Sequence, residues 1–168
     1  MPHLIRIGTR KSKLALAQAE EARTALLGLG AALRLEIVPM HSSGDIHADR
    51  SLADIGGKGL FSRELEAALL ANAIDIAVHS LKDMESFPPD GLEIGAVLPR
   101  RDNRDCLISR SGATLAELPR GARVGSSSPR RAAQLLHWRP DLRIVVFRGN
   151  VPTRLEELER GDVDATIL

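Results

Sequence analysis

Val124-Gly-Ser-Ser-Ser-Pro-Arg-Arg131 reads as the end of a strand, a tight turn and the first turn of a helix. Ser128 stands where an N-cap belongs, Pro129 suits the first helical position, where its missing N–H is not needed, and Arg130 and Arg131 follow at once. The same grammar occurs twice more. Ile7-Gly-Thr-Arg-Lys-Ser12 puts Arg10 in a turn ahead of Ser12 as N-cap, and Phe147-Arg-Gly-Asn-Val-Pro-Thr-Arg154 sets Arg148 and Arg154 around Gly149, with Asn150 as N-cap. Short apolar runs alternating with amphipathic stretches extend the pattern along the chain. Strands are expected at 4–9, 33–40, 74–79, 92–98, 106–109, 123–125, 143–147 and 165–168, and helices at 13–29, 61–71, 114–118, 129–138 and 151–160. This alternation predicts an α/β fold of two βαβ-based lobes with mostly parallel or mixed sheets. Residues 1–99 form the first lobe, the charged stretch 100–105 the hinge and 106–168 the second lobe, while 41–58 is a long loop. No internal repeat or low-complexity tract is evident. The chain stops within the apolar run Ala165-Thr-Ile-Leu168, so the second lobe reads as incomplete and the chain as a fragment.

Composition narrows the function. The 168 residues are 43% hydrophobic and 27% charged, with a net charge of +1. That is a globular profile, without a transmembrane run or a signal-peptide core. One cysteine, Cys106, rules out an internal disulfide framework or a cysteine-built metal cage and fits the cytoplasm; no metal site is expected. Cys106 itself, in an apolar run, reads as a small buried side chain. Four aromatic residues are too few for a base-stacking platform. The charge is uneven: residues 1–99 carry ten Lys and Arg against thirteen carboxylates, whereas 100–168 carry thirteen cations, all arginine, against nine. Arginine forks match carboxylate and phosphate geometry.

Ligands of parallel α/β sheets bind beyond the carboxyl ends of the strands, at helix N-termini. The helix dipole is positive there, so an arginine at such a turn is locally unfavourable unless an anion joins it. Pairing with a surface carboxylate such as Asp141 or Glu157 is the plain alternative for each turn. Three such turns suit a polyanionic ligand, and all three, with Asp83, are expected to face one cleft. Ala77-Val-His-Ser-Leu-Lys-Asp83 ends a further strand and delivers Lys82 beside Asp83. The two are either a solvated ion pair, or Asp83 stabilises a developing cation or moves protons. His79 reads as a hydrogen-bonded core histidine. Gly56-Gly-Lys-Gly59 fails the P-loop pattern, because Lys58 is followed by Gly59 and Leu60, and reads as a flexible lid.

Five of these segments together carry a resemblance: Ile7-Gly-Thr-Arg-Lys-Ser12, Gly56-Gly-Lys-Gly-Leu-Phe61, His79-Ser-Leu-Lys-Asp83, Gly125-Ser-Ser-Ser-Pro-Arg-Arg131 and Arg148-Gly-Asn-Val-Pro-Thr-Arg-Leu155. In order and without gaps, they resemble the N-terminal portion of the porphobilinogen deaminase (hydroxymethylbilane synthase) family. The resemblance implies a transferase of tetrapyrrole and haem biosynthesis that condenses four porphobilinogen molecules, with loss of ammonia, into hydroxymethylbilane. It implies an architecture like that of type II periplasmic binding proteins, a dipyrromethane cofactor and a monomeric full-length protein with neither nucleic-acid nor membrane partners. By resemblance Asp83 is catalytic and Arg10, Ser12, Arg148 and Arg154 bind substrate. Lys82, Ser126, Ser127, Ser128, Arg130, Arg131 and Gly149 hold the cofactor, and Gly56, Gly57, Lys58 and Gly59 form the lid. The sequence departs from the family at Pro129 and at Met84-Glu85-Ser86, where the family has apolar residues and a proline. The family's cofactor-bearing cysteine belongs to a third, C-terminal domain outside this chain, so the chain alone is expected to be inactive. Two other functions fit the residues: a non-catalytic module binding polycarboxylates, and an arginine-rich nucleic-acid binder.

Overall fold

The computed structural model describes residues 3–30, 32–42 and 62–168. They fall into two compact units, Met1–Pro99 and Arg100–Leu168. In the first, strand β1 (His3–Arg10) pairs in parallel with β2 (Leu33–Met40) on one side and β3 (Ile76–Ala77) on the other, in the order β2-β1-β3. Helix α1 (Lys13–Leu27) joins β1 to β2, and α2 (Arg63–Leu70) precedes β3. Strand residues alternate between the faces. Ile7 is fully buried, and Thr9 Oγ1, two residues on, donates to the Ala15 carbonyl of α1 at 3.1 Å. Gly8 points the other way, where a Cβ would lie 2.3 Å from Ile74 Cδ1 and 2.9 Å from Leu65 Cδ2 of α2. The two helices therefore cover opposite faces.

The second unit holds β4 (Leu107–Ser109), β5 (Arg123–Gly125), α3 (Pro129–Trp138), β6 (Arg143–Val145), α4 (Val151–Arg160) and β7 (Ala165–Ile167). The strand order is β4-β7-β5-β6, with β5 parallel to both β6 and β7 and β4 antiparallel to β7. Val124 and Ala165 pack with Leu135 of α3, and Ile144 joins that cluster. Phe147, Leu158 of α4 and Val163 form a second cluster, joined by Val145 and Ile108. Consecutive residues Ile144 and Val145 thus serve different cores, and α3 and α4 lie on opposite faces. The fold is α/β with one parallel and one mixed sheet.

The structure reveals a repeat that the sequence pattern does not suggest. Order β2-β1-β3 in the first unit has the same connectivity as β6-β5-β7 in the second. Arg6-Ile-Gly-Thr9 and Arg123-Val-Gly-Ser126 occupy equivalent places on the central strands, with Gly8 opposite Ala77 and Gly125 opposite Thr166. Asp75 accepts from the Arg6 backbone at 2.7 Å and from two nitrogens of its guanidinium at 2.9 and 2.8 Å, and returns its own N–H to the Arg6 carbonyl. Asp164 does the same to Arg123: its backbone N–H bond is 2.8 Å, and the returning bond is 2.9 Å. Three residues earlier, Asn72 (φ 55) and Gly161 (φ 86) end the preceding helices in the left-handed region, which Asn tolerates and Gly prefers. The repeat is masked in the sequence because the two Arg-to-Asp spacings differ, 69 against 41 residues.

Four local expectations change. The run at 92–98 forms no strand: Ile94 and Val97 are 50% and 80% exposed, and an apolar run becomes a strand only beside an edge it can pair with. The stretch 114–118 is a single turn, in which Glu117 accepts from Thr114 N and Oγ1 at 2.9 and 2.8 Å, and Pro119 discourages its continuation. The strand expected at 74–79 shrinks to Ile76–Ala77, although Asp75 and Val78 bond backbone-to-backbone with β1 on either side. Cys106 is exposed, because it precedes edge strand β4 and the core position falls to Leu107.

Gly125 tests the packing. A Cβ there would lie 2.5 Å from Phe147 Cγ and Cδ1 and 2.9 Å from its Cβ, against a ring that is 4% exposed. Gly125→Ala is expected to cost roughly 1–3 kcal/mol by overpacking. Gly8→Ala, which meets the ends of two aliphatic side chains, should cost less. Denaturant midpoints of the two variants check both the size and the ranking.

Candidate functional site

In the second unit, adjacent parallel strands β5 and β6 send their chains to helices on opposite faces. Ligands of such sheets bind at that kind of divergence, which lies here at the carboxyl ends of the two strands, beside the turns at 126–128 and 146–150. The serines build the first turn. Ser126 is buried and its Oγ accepts from Ser128 N at 3.2 Å; Ser127 Oγ donates to the Phe147 carbonyl at 2.6 Å, lashing one turn to the other. Ser128 caps α3 by accepting from Arg131 N at 3.4 Å, with Pro129 in the first turn. Asn150 is the N-cap of α4, but its side chain makes no capping bond. Gly149 holds φ at 102°, with Thr153 where a Cβ would crowd.

Cations gather around these helix starts. Arg154 Nε donates to the Gly149 carbonyl at 2.9 Å, and its pKa is lowered by burial and then by the positive charges of Arg131 and Arg148, with Glu157 opposing. Arg148 Nη1 is buried with no hydrogen-bond partner among the described residues. A buried donor left unmade is costly, and a guanidinium more so. Arg131 is matched, with Nη2 2.7 Å from Asp105 Oδ1 and Nη1 3.5 Å from the Ile167 carbonyl. Arg130 is exposed. Neither suggested surface carboxylate pairs with these residues: Asp141 binds Arg139 at 2.8 Å, and Glu157 lies 3.9 Å from Arg160.

In the first unit the corresponding turn puts Arg10 at the end of β1 and Ser12 at the start of α1, where its Oγ accepts from Ala15 N at 3.2 Å. Arg10 Nη1 meets Asp83 Oδ2 at 3.2 Å, in a pair whose side chains are only 14% and 18% exposed. Asp83 thus pairs with Arg10, and the adjacent Lys82 is exposed on the short 3-10 turn Leu81–Asp83. Ser80 Oγ donates to Gln18 Oε1 of α1 at 3.0 Å. The sequence analysis assigns no role to Gln18, Ser80 or Asp105, although Ser80 lies within the segment His79–Asp83 and Gln18 on the helix that Ser12 caps. His79 is half-buried, and its Nε2 is enclosed without a hydrogen-bond partner among the described residues. Gly56, Gly57, Lys58 and Gly59 lie outside the described residues.

Known proteins are similar to this chain over nearly all of its length. The family model described as porphobilinogen deaminase, dipyromethane cofactor binding domain, matches residues 5–168. The chain is 58% identical over 167 residues to the porphobilinogen deaminase of Paracoccus denitrificans, across 98% of this chain and 53% of that protein. It is 52% identical over 168 residues to that of Acidithiobacillus ferrooxidans, across 100% and 55%. It is 52% identical over 169 residues to the chloroplastic porphobilinogen deaminase of Oryza sativa, across 98% and 47%. The chain spans about half the length of the curated relatives it matches. Among solved structures, an ancestral arginine-binding protein bound to arginine is 20% identical, at a TM-score of 0.44, across 100% of this chain and 70% of that one.

Burial pushes the His79 pKa below its ordinary value, and Arg10 adds to the effect while Asp83 and Glu66 oppose it. Between that lowered value and about 6.5, the unfolded chain binds more protons than the folded one, so stability rises with pH across the window. The contribution is complete above about pH 6.5 and is lost as the pH falls below it. His79→Gln should flatten the dependence of the urea midpoint on pH between about 7 and 5. Parallel curves for variant and parent would remove His79 as the cause.

Proposed function

We propose, for a chain that belongs to the porphobilinogen deaminase family, that it is the cofactor-holding portion of an enzyme condensing four porphobilinogen molecules into hydroxymethylbilane with loss of ammonia. The observation that carries this reading is the buried Nη1 of Arg148, which has no hydrogen-bond partner among the described residues, with Arg154 close enough to feel the positive charges of both Arg148 and Arg131 at two helix N-termini. Such a cluster is unfavourable while empty and favourable around carboxylates. Pyrroles bearing acetate and propionate arms supply carboxylates in that density. When bound, dipyrromethane supplies the pyrrole carbon from which the new chain grows.

In this reading Arg130, Arg131, Lys82 and the turn of Ser126, Ser127, Ser128 and Gly149 hold the cofactor's carboxylates. Arg10, Ser12, Arg148 and Arg154 hold those of the substrate and the growing chain. Gly149 suits the cradle because a side chain at its positive φ would be strained and would crowd Thr153. Asp83 is the catalytic carboxylate. It sits against Arg10, largely out of water. A substrate carboxylate that engages Arg10 leaves Asp83 facing the pyrrole N–H, where positive charge develops as ammonia departs. A fixed anion at that point lowers the barrier by stabilising the charge where it forms. The same reading gives a cytoplasmic enzyme acting on a small molecule, monomeric at full length and independent of nucleic acid and membranes. Among the described residues no helix is long and apolar enough to cross a membrane.

Two measurements test it. Titration calorimetry of this chain with porphobilinogen, which carries one acetate and one propionate arm, should show binding that weakens about ten-fold or more in Arg148→Ala, the scale of a buried charge-assisted hydrogen bond. Unchanged affinity would take Arg148 out of the site. In a full-length protein that forms hydroxymethylbilane, Asp83→Asn should keep the fold and slow condensation by roughly 10²–10³-fold. Near-normal turnover would deny Asp83 its role.

A further inference from the structure

Asp105 ends the charged stretch 100–105 and immediately precedes the strand residues that anchor it. Its neighbour Cys106 exchanges backbone hydrogen bonds with Leu168 in both directions, at 2.9 and 3.0 Å, extending the β4–β7 ladder. That pairing fixes where the Asp105 side chain can reach. It reaches Arg131, at 2.7 Å, and Arg131 also touches the carbonyl of Ile167 on β7. One ion pair therefore ties the entry to β4, the end of β7 and the first turn of α3. Of the three clustered arginines, Arg148 has a buried nitrogen without a hydrogen-bond partner among the described residues and Arg154 bonds a carbonyl; Arg131 has a carboxylate. That carboxylate is what a polycarboxylate ligand would bring.

Resting on the proposed function, in which Arg131 receives a ligand carboxylate, we infer that Asp105 is an internal stand-in for that carboxylate and sets how tightly Arg131 takes one. A single guanidinium edge cannot serve both partners, so a ligand must displace Asp105 or share Arg131 with it. The competent state is then only part of the population, and the apparent affinity falls by that fraction. The pair is partly open, with the arginine and aspartate side chains 31% and 42% exposed, so its hold is modest and reversible. In its absence Arg131 would add its charge to the repulsion around Arg154, where the three arginines already crowd. Asp105 thus lets the cluster fold without a ligand while leaving Arg131 available to one. Once displaced, it also releases the adjoining stretch 100–104, whose own ion pair, Arg104 to Asp102, is local.

The sign of one substitution decides the matter. Asp105→Asn keeps the side chain's shape and removes the competing charge. Titrated with a synthetic dipyrromethane polycarboxylate, it should bind about two- to five-fold more tightly than the parent chain. The gain should vanish when Asp105→Asn is made in an Arg131→Ala background, since the two act through one contact. If Asp105 merely orients Arg131, the Asn variant binds more weakly or equally; that result, beside a parent that binds and an Arg131→Ala that binds about ten-fold more weakly, overturns this inference alone. A gain that persists without Arg131 also overturns it. Binding by neither parent nor variant overturns both this inference and the proposed function.

Discussion

In each unit a carboxylate closes a pair of parallel strands. Asp75 takes the backbone N–H and the guanidinium of Arg6, and Asp164 those of Arg123. With its own N–H returned to the arginine's carbonyl, each aspartate fixes the register between the central strand and the strand that arrives last. Register in a parallel pair decides which side chains face which helix, because a slip of one residue exchanges the faces. Here it places Gly8 and Gly125 where a helix-side residue comes close, and Ile7 and Val124 in the opposite core. The carboxyl ends that carry the functional turns are then set at defined positions.

Those positions concentrate positive charge. Three kinds of cationic feature converge in the second unit: two helix N-termini, the arginines just inside them and the arginine on the intervening turn. Little inside the unit offsets them, and what does is specific: the Gly149 carbonyl for Arg154 and Asp105 for Arg131. The first unit differs in kind. There Arg10 is matched by Asp83 in a nearly dry pair, with a neighbouring histidine that burial keeps from taking a proton readily. In the function proposed above, the arrangement in the second unit holds anions, and that in the first unit meets a cation that appears during the reaction.

Much of this is legible in the sequence because it rests on local rules. The caps at Ser12 and Ser128, the helical start at Pro129 and the arginines beside them come from turn chemistry that a few residues determine, and the structure has the helices beginning there. Strand pairing is not local, and there sequence patterns mislead. The run at 92–98 has strand-like composition but no edge beside it, and the apolar run at 74–79 outlasts the pairing available to it. The Arg–Asp repeat is hard to see in the sequence because its halves are 69 and 41 residues apart and differ in what lies between. Asp105 is hidden in a stretch with the composition of a hinge; its pairing with Arg131 depends on the β4–β7 ladder that carries it there. The pattern around His79 predicts a satisfied core histidine, yet whether its Nε2 finds a partner depends on what packs around it, and among the described residues it finds none.

The central claim is that the buried nitrogen of Arg148 exists for a ligand's carboxylate. The most direct measurement is a crystal structure of this chain with porphobilinogen bound. The account predicts a carboxylate oxygen at roughly 2.7–2.9 Å from Arg148 Nη1, the distance of a charge-assisted hydrogen bond. A ligand seated elsewhere, with Arg148 Nη1 still enclosed and unpartnered, would contradict it.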